Sequence, residues 1–425
     1  MHAVADIIES RRDELAHKLT LDQGKPLRAE SFDEVDELIE YWRMAAEDAK
    51  RLGGELPNSF SPGKRVMLVR RPRGVVGVIS PWNWPYTMPA ELIAPALAAG
   101  NTVVWTPAPS TAICAVALAS CIADADLPPG VFNLVTGPGP VVGDEIARNP
   151  GTDGVAFIGS TGTGRRVAAA AAGKATLLEM GGNGPLVVLD DADLDAAVEA
   201  TLTACFLCAG QSCTAGERLL VHRAVVDPFV ELLARAVTER ILLGDPFNDG
   251  TTMGPLNNEP VAAKMDDHVG DAIERGAEVV SGGARATGFP TPLYWEPTVL
   301  TGVAPDARVA VEETFGPVAP IVAVDSLDEA IRLTNSSPYG LLAGIFTADL
   351  GKGLAFADNV RTGWVNVNES TNYWESHLPF GGRSGSDSGI GRVGGAQVMH
   401  SFTELQTVVL TPDARRAPSP ASPVR

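Results

Sequence analysis

The sequence predicts an α/β protein: two doubly wound parallel-sheet domains with a small β arm. Three observations predict it. From residue 73 onward, short apolar runs alternate with helix-like ones across brief Gly- and Pro-rich links. Runs such as Val75-Val76-Gly77-Val78-Ile79 are apolar on both faces, as strands covered on both sides must be. A chain of 425 residues also exceeds what one core holds, so two or more domains are expected.

Composition narrows the function classes. A formal charge of −19 argues against nucleic acid and anionic membrane surfaces as partners. No apolar run is long enough to span a bilayer. The first residues read as a charged amphipathic helix rather than a signal peptide, so a cytoplasmic protein is expected. Five cysteines, odd in number and sparse, do not make a disulfide framework. Cys205 and Cys208 form C-x-x-C with no second Cys or His pair behind it, so no metal site is expected. At helical spacing the two are expected to face a core.

Taken in order, residues 1–53 read as helical, with apolar positions recurring at three and four. Residues 54–72 hold Pro and Gly around a short strand at 66–70 and look like an arm. Strands follow at 75–80, 102–105, 131–136, 154–158 and 175–178, with helices at 88–99, 111–124, 142–149 and 165–172 between them. A second domain starts near Gly184 and repeats the alternation. It has strands at 185–189, 218–222, 278–280, 298–300, 318–324, 343–347 and 363–367, and helices at 194–207, 226–240, 327–334 and 351–358. Residues 374–396 read as glycine-rich and irregular, 402–410 as a late strand, and 412–425 as a disordered tail.

Ligands of such a sheet sit at the carboxyl ends of its strands. Gly139 and Gly143 let backbone approach a ligand closely there, and Ser160 opens a helix whose free N–H groups favour a phosphate. Neither glycine stretch fits G-x-G-x-x-G. In the second domain an apolar helix meets Gly210-Gln211-Ser212-Cys213. A cysteine just past a glycine, among small residues, is where a nucleophilic thiolate is expected.

Six blocks then match one family in order. They are Pro81-Trp82-Asn83-Trp84-Pro85, Phe157-Ile158-Gly159-Ser160-Thr161, Leu178-Glu179-Met180-Gly181-Gly182, Gly210-Gln211-Ser212-Cys213, Glu312-Glu313-Thr314-Phe315-Gly316-Pro317 and Pro379-Phe380-Gly381-Gly382. From about residue 3 to 410 the chain resembles the NAD(P)-dependent aldehyde dehydrogenase superfamily. The resemblance implies oxidation of an aldehyde to an acid, with Cys213 as nucleophile, Asn83 and the Cys213 N–H as the oxyanion hole, and Glu179 as general base. It implies a dinucleotide lined by Ile79, Trp82, Gly139, Gly143 and Ser160, with Glu313 on the nicotinamide ribose and Phe315 against the ring. It implies a dinucleotide-binding domain at 1–53 and 73–183 and a catalytic domain at 184–399. Residues 54–72 and 400–411 become an oligomerisation arm, so a homodimer or homotetramer is expected. Trp84, Phe206 and Phe380, with Tyr373 and Trp374, suggest an aromatic substrate pocket.

The sequence departs from the family pattern in places. Thr106 and Pro109 stand where a Lys and a Glu are usual at the adenosine ribose. The two changes oppose each other, leaving NAD against NADP open. Cys208 stands where Asn is common. The family normally carries more residues, with strands and helix, ahead of residue 1. A start codon placed too far downstream or a truncated relative is therefore expected, with lower solubility than an upstream-extended form. Two other readings stay open: a CoA-acylating relative, which ends the thioester with a thiol and needs no base, and an idle member kept for binding or structure.

Overall fold

Three sheets organise the chain in the computed structural model, which describes residues 1–411. The expected disordered tail, 412–425, lies outside the described residues. The first sheet runs Gly389–Ile390, Ala175–Glu179, Gly154–Ile158, Val75–Ile79, Thr102–Thr106, Phe132–Leu134. Every pairing is parallel except that of Gly389–Ile390. The chain enters at Val75–Ile79, builds outward to Phe132–Leu134, then crosses back to lay Gly154–Ile158 on the other side. That reversal opens a crevice beyond the carboxyl ends of Val75–Ile79 and Gly154–Ile158, where doubly wound sheets bind ligands.

Helices Thr87–Ala98 and Ala112–Ala123 cover one face, with His2–Ser10, Arg12–Gln23 and Phe32–Ala49 packed outside them. Gly139–Arg148 and Thr161–Ala170 cover the other. Thr87–Ala98 is apolar and buried nearly all round, as a helix sandwiched between a sheet and a second helical layer must be. It ends at Gly100, whose φ of +91° suits glycine. Asn101 then closes the corner. Its side chain accepts from the Gly74 N–H at 3.1 Å and donates to the Ala96 and Phe402 carbonyls at 2.9 and 3.0 Å.

The second sheet runs Trp364–Val367, Leu342–Phe346, Pro185–Val188, Arg218–His222, Val318–Val324, Thr298–Thr301, Glu278–Ser281, and is parallel apart from the last strand. Its core is the larger, centred on residues such as Phe229, Leu233, Phe346 and Phe356. Arg65–Pro72 and Thr403–Leu410 pair antiparallel as a separate ribbon, Arg65 opposite Leu410 and Pro72 opposite Thr403. No helix among the described residues is long and apolar enough to cross a membrane.

Four local expectations are corrected. Residues 139–141 and 161–164 were expected as links, yet they form the first turns of helices Gly139–Arg148 and Thr161–Ala170. Gly164 packs there against Met180 and Phe157, where a Cβ would not fit, so its place in the helix is set by contact and not by propensity. Helix Glu259–Glu274 stands where the sequence reading places no element. The signal was an N-cap Asn258, which accepts from the Val261 N–H at 3.2 Å, then Pro260 and apolar residues at helical spacing. Gly389–Ile390, inside the stretch expected to be irregular and to belong with 184–399, pairs with Glu179 and Leu178 of the first sheet. Cys205 and Cys208 are both buried, but they do not share a helix face. The helix ends at Phe206, and Cys208 has a left-handed φ of 54°.

Replacing Asn101 by Ala leaves the Gly74 N–H without its acceptor and takes one of two donors from each of the Ala96 and Phe402 carbonyls. Asn101→Ala is expected to cost about 1–3 kcal/mol, seen as a lower melting temperature in calorimetry.

Candidate active site

A cavity of about 410 Å³ occupies the crevice, and Trp82, Asn83, Ser160, Glu179, Cys213, Glu313 and Phe315 all border it. It lies where the carboxyl ends of the first sheet meet the loops leading into the second sheet's strands. Asn83 follows the strand Val75–Ile79 and is 3% exposed. Its Nδ2 donates to the Gln211 carbonyl at 3.0 Å. Gln211 is held in turn: its Nε2 donates to the Cys208 carbonyl at 2.8 Å and its Oε1 accepts from the Asn257 N–H at 2.9 Å.

The loop that presents Cys213 is bent by unusual backbone. Cys208 and Ala209 both have left-handed φ, 54° and 52°, so helix Leu194–Phe206 cannot continue. Glu30 holds the bend by accepting from the Cys208 N–H at 3.0 Å. Gly210 comes next, and a Cβ there would overlap the Gly316 carbonyl. On the other side Gly182 lies against the Cys213 carbonyl with no room for a Cβ. These approaches bring the end of strand Ala175–Glu179 beside the cysteine loop.

Glu179 is 4% exposed, so it is not a solvated strand end. Its Oε1 has no hydrogen-bond partner. Burial pushes its carboxyl well above the ordinary range, and the adjacent Cys213 thiol offsets only part of that. Burial also pushes the Cys213 thiol well up, and the neighbouring Glu179 pushes it further. Cys213 is half-buried, whereas the other four cysteines are buried.

Glu313 accepts from the Gly182 N–H at 2.9 Å, and its carboxyl is raised by burial and drawn back by the Lys264 charge. Glu217 receives the N–H groups of Thr314 and Phe315 at 2.9 and 2.6 Å. It thereby holds Phe315 at a left-handed φ of 64°. The Phe315 ring meets Trp82 edge to face, centroids 5.6 Å apart.

A second cavity lies on the far side of Glu179 and Cys213, bordered by Trp84, Glu91, Asn372, Trp374 and Phe380. Trp84 and Phe380 are where the sequence reading puts them. Phe206 is not: it is 2% exposed, packs in the second domain's core, and borders neither cavity. It is the last residue of its helix and points inward, while Leu207 turns into the cavity. Tyr373 is exposed and also stands outside. Ile79, Gly139 and Gly143 do not border the first cavity. Gly143 sits against Ile79, and Gly139 opens its helix with free space beside it. Lys264 and Val261 border the first cavity from the unpredicted helix, and Glu91 borders the second from an otherwise uncharged one. Sequence reading missed all three. A lone Glu in an apolar helix was the signal for the last.

Residues 1–408 match the model of the aldehyde dehydrogenase family. The chain belongs to that family. It is an NAD(P)-dependent aldehyde dehydrogenase. It is 38% identical over 404 residues to succinate-semialdehyde dehydrogenase [NADP(+)] of Escherichia coli (strain K12), covering 94% of this chain and 82% of the relative. It is 38% identical over 410 residues to betaine aldehyde dehydrogenase of Bacillus subtilis (strain 168), covering 95% of this chain and 82% of that one. The crystal structure of an NAD-dependent aldehyde dehydrogenase from Sinorhizobium meliloti superposes with a TM-score of 0.93 at 36% identity, over 98% of this chain and 82% of the other.

The crevice fits such a dinucleotide. Helix Thr161–Ala170 begins beside it, next to Ser160 on the lining, and the free N–H groups of a helix's first turn favour phosphate. The Ser160 side chain does not cap its own helix.

Because Glu179 raises the Cys213 thiol, Glu179→Gln is expected to increase the thiolate fraction. Alkylation of Cys213 by iodoacetamide, followed by mass spectrometry at alkaline pH, should be faster in that variant than in the wild type.

Proposed function

We propose that the enzyme oxidises its aldehyde to the carboxylic acid through a covalent adduct on Cys213 that water then releases. The observation that carries this reading is the convergence of Asn83, Glu179 and Cys213 on one cavity, with a buried Glu179 oxygen left without a partner. Cys213 rests as a thiol, gives its proton to solvent through the open cavity and adds to the carbonyl carbon as the thiolate, which leaves Glu179 free for the later step. The carbonyl oxygen becomes an alkoxide. Asn83 Nδ2 has one N–H on Gln211 and a second for that oxygen, and the Cys213 N–H is the other donor. When bound, NAD(P)+ supplies the hydride acceptor that turns the adduct into a thioester.

Water must then attack the thioester. Glu179 takes a proton from that water, and the sulfur leaves as thiolate and recovers a proton. A carboxyl raised by burial is suited to this work near neutral pH. The same feature supports hydrolysis over transfer to CoA, which needs no base. We infer that Glu313 and Phe315 hold the nicotinamide end of the cofactor, the helix starts at Gly139 and Thr161 its phosphates, and Ile79 and Trp82 its flank. The substrates in the relatives' names carry opposite charges, so those names do not choose an aldehyde for this chain. We infer further that the ribbon of Arg65–Pro72 and Thr403–Leu410, with Leu405, Val409 and Leu410 exposed, joins subunits into a dimer or tetramer.

A panel of aldehydes with NAD+ and NADP+, followed by nicotinamide absorbance and acid analysis, tests the reading. Acid should form without CoA, and strict dependence on CoA would sink the hydrolytic step. Cys213→Ala should abolish turnover. Asn83→Ala should lower kcat about 10²- to 10³-fold. Glu179→Gln should give a burst of roughly one reduced cofactor per site, then slow turnover as the thioester accumulates.

A further inference from the structure

The second cavity has an electrostatic character that the reaction does not require. Among the residues bordering it, the charged ones are Glu91 and Glu179, with no Lys, Arg or His. Glu179 belongs to the chemistry. Glu91 does not. It is the single charged residue of helix Thr87–Ala98 and is 7% exposed. Its hydrogen-bond partner is the Tyr41 hydroxyl, 2.7 Å away.

A carboxylate so placed is costly unless something neutralises it. The surroundings do the opposite. Glu37, on the helix bearing Tyr41, is pushed up by the Glu91 charge after its own burial. Glu179 and Cys213 are pushed up by it too. The nearby buried ammonium is Lys25, which is committed to Glu34 at 2.6 Å and sits 3.6 Å over the Trp84 ring. The rest of the lining is aromatic. Trp374 stacks on Tyr41 with centroids 6.2 Å apart and lies 6.4 Å from Phe380. Aromatic faces and an uncompensated carboxylate both attract a cation and both repel an anion.

Resting on the proposed reaction, we propose that Glu91, with Trp374 and Phe380, selects aldehydes whose far end carries a positive charge, such as an alkylammonium group. Burial holds the Glu91 carboxyl up at about 7, so its charge develops as pH rises through that value. An ammonium in the cavity stabilises the ionised form and pulls that value down. An aldehyde ending in a carboxylate meets Glu91 and Glu179 with no cation on the lining to receive it.

The test is kcat/KM for three aldehydes of similar length: 4-(trimethylammonio)butanal, pentanal and 4-oxobutanoate. The expected order is cation, neutral, anion, with the cation ahead of the anion by roughly tenfold to a hundredfold. The advantage should grow between pH 6 and 8, about the range over which Glu91 ionises. Glu91→Gln and Glu91→Leu should both collapse the cation-to-neutral ratio, and Glu91→Arg should bring 4-oxobutanoate ahead. Any other wild-type order overturns the proposal, as does a ratio that no Glu91 variant moves. The wild-type order stands as a test even where a variant does not fold. If none of the three is oxidised, with no burst of reduced cofactor, the reaction itself has been misread. Turnover without charge preference leaves the reaction standing and removes only the role of Glu91.

Discussion

One amide hydrogen bond joins the two halves of the site. Asn83 hangs from the end of a first-sheet strand, and the Gln211 carbonyl it meets belongs to the loop ahead of a second-sheet strand. Neither sheet alone makes a site. The bond sets how far the oxyanion donor stands from the sulfur two residues beyond Gln211. The protein surrounds it with constraint: Gln211 is gripped from Cys208 and Asn257, and the Cys208 bend is gripped from Glu30 on the N-terminal helices. Asn83 is thus oriented by elements far apart in the chain, and the reacting groups need no rearrangement to converge.

The electrostatics of the site follow from burial more than from pairing. Glu179, Glu217, Glu313 and Glu91 are all raised, and desolvation is the leading cause for each. Their environments then separate their jobs. Glu217 receives two backbone N–H groups and serves to hold the Phe315 turn. Glu313 receives one and feels Lys264. Glu179 keeps an oxygen free. Four carboxyls of ordinary intrinsic acidity are given different roles by what donates to them.

Much of this was legible in the sequence, because the parts that carry it are local. Apolar runs and glycine links marked the strands of both sheets, and the motif blocks marked Asn83, Glu179, Cys213 and Glu313 along the chain. What escaped depended on distant partners or on side-chain direction. Phe206 and Leu207 are neighbours in an apolar run, and only the end of the helix decides that one enters the core and the other the cavity. Gly389–Ile390 is too short to show a period, and its strand character comes entirely from the edge it meets. Glu91 reads as a polar accident in an apolar helix until Tyr41 and Trp374, brought in from both ends of the chain, close around it. Helix Glu259–Glu274 is the exception. Its cap and period were present, and it marks the limit of the reading rather than of the signal.

The antiparallel strand at Gly389–Ile390 also bears on how the molecule is made. The edge against which Glu179 sits is completed by residues translated more than two hundred positions after it. A nascent chain can close the sheet that carries the nucleophile while the sheet carrying the base still has an open edge. Domains that emerge first usually fold first, but here the first to emerge is the last to be finished. The ribosome must therefore release the chain through Ile390 before the base has its final neighbours. Until then the strand that carries the base presents an unpaired edge to solvent.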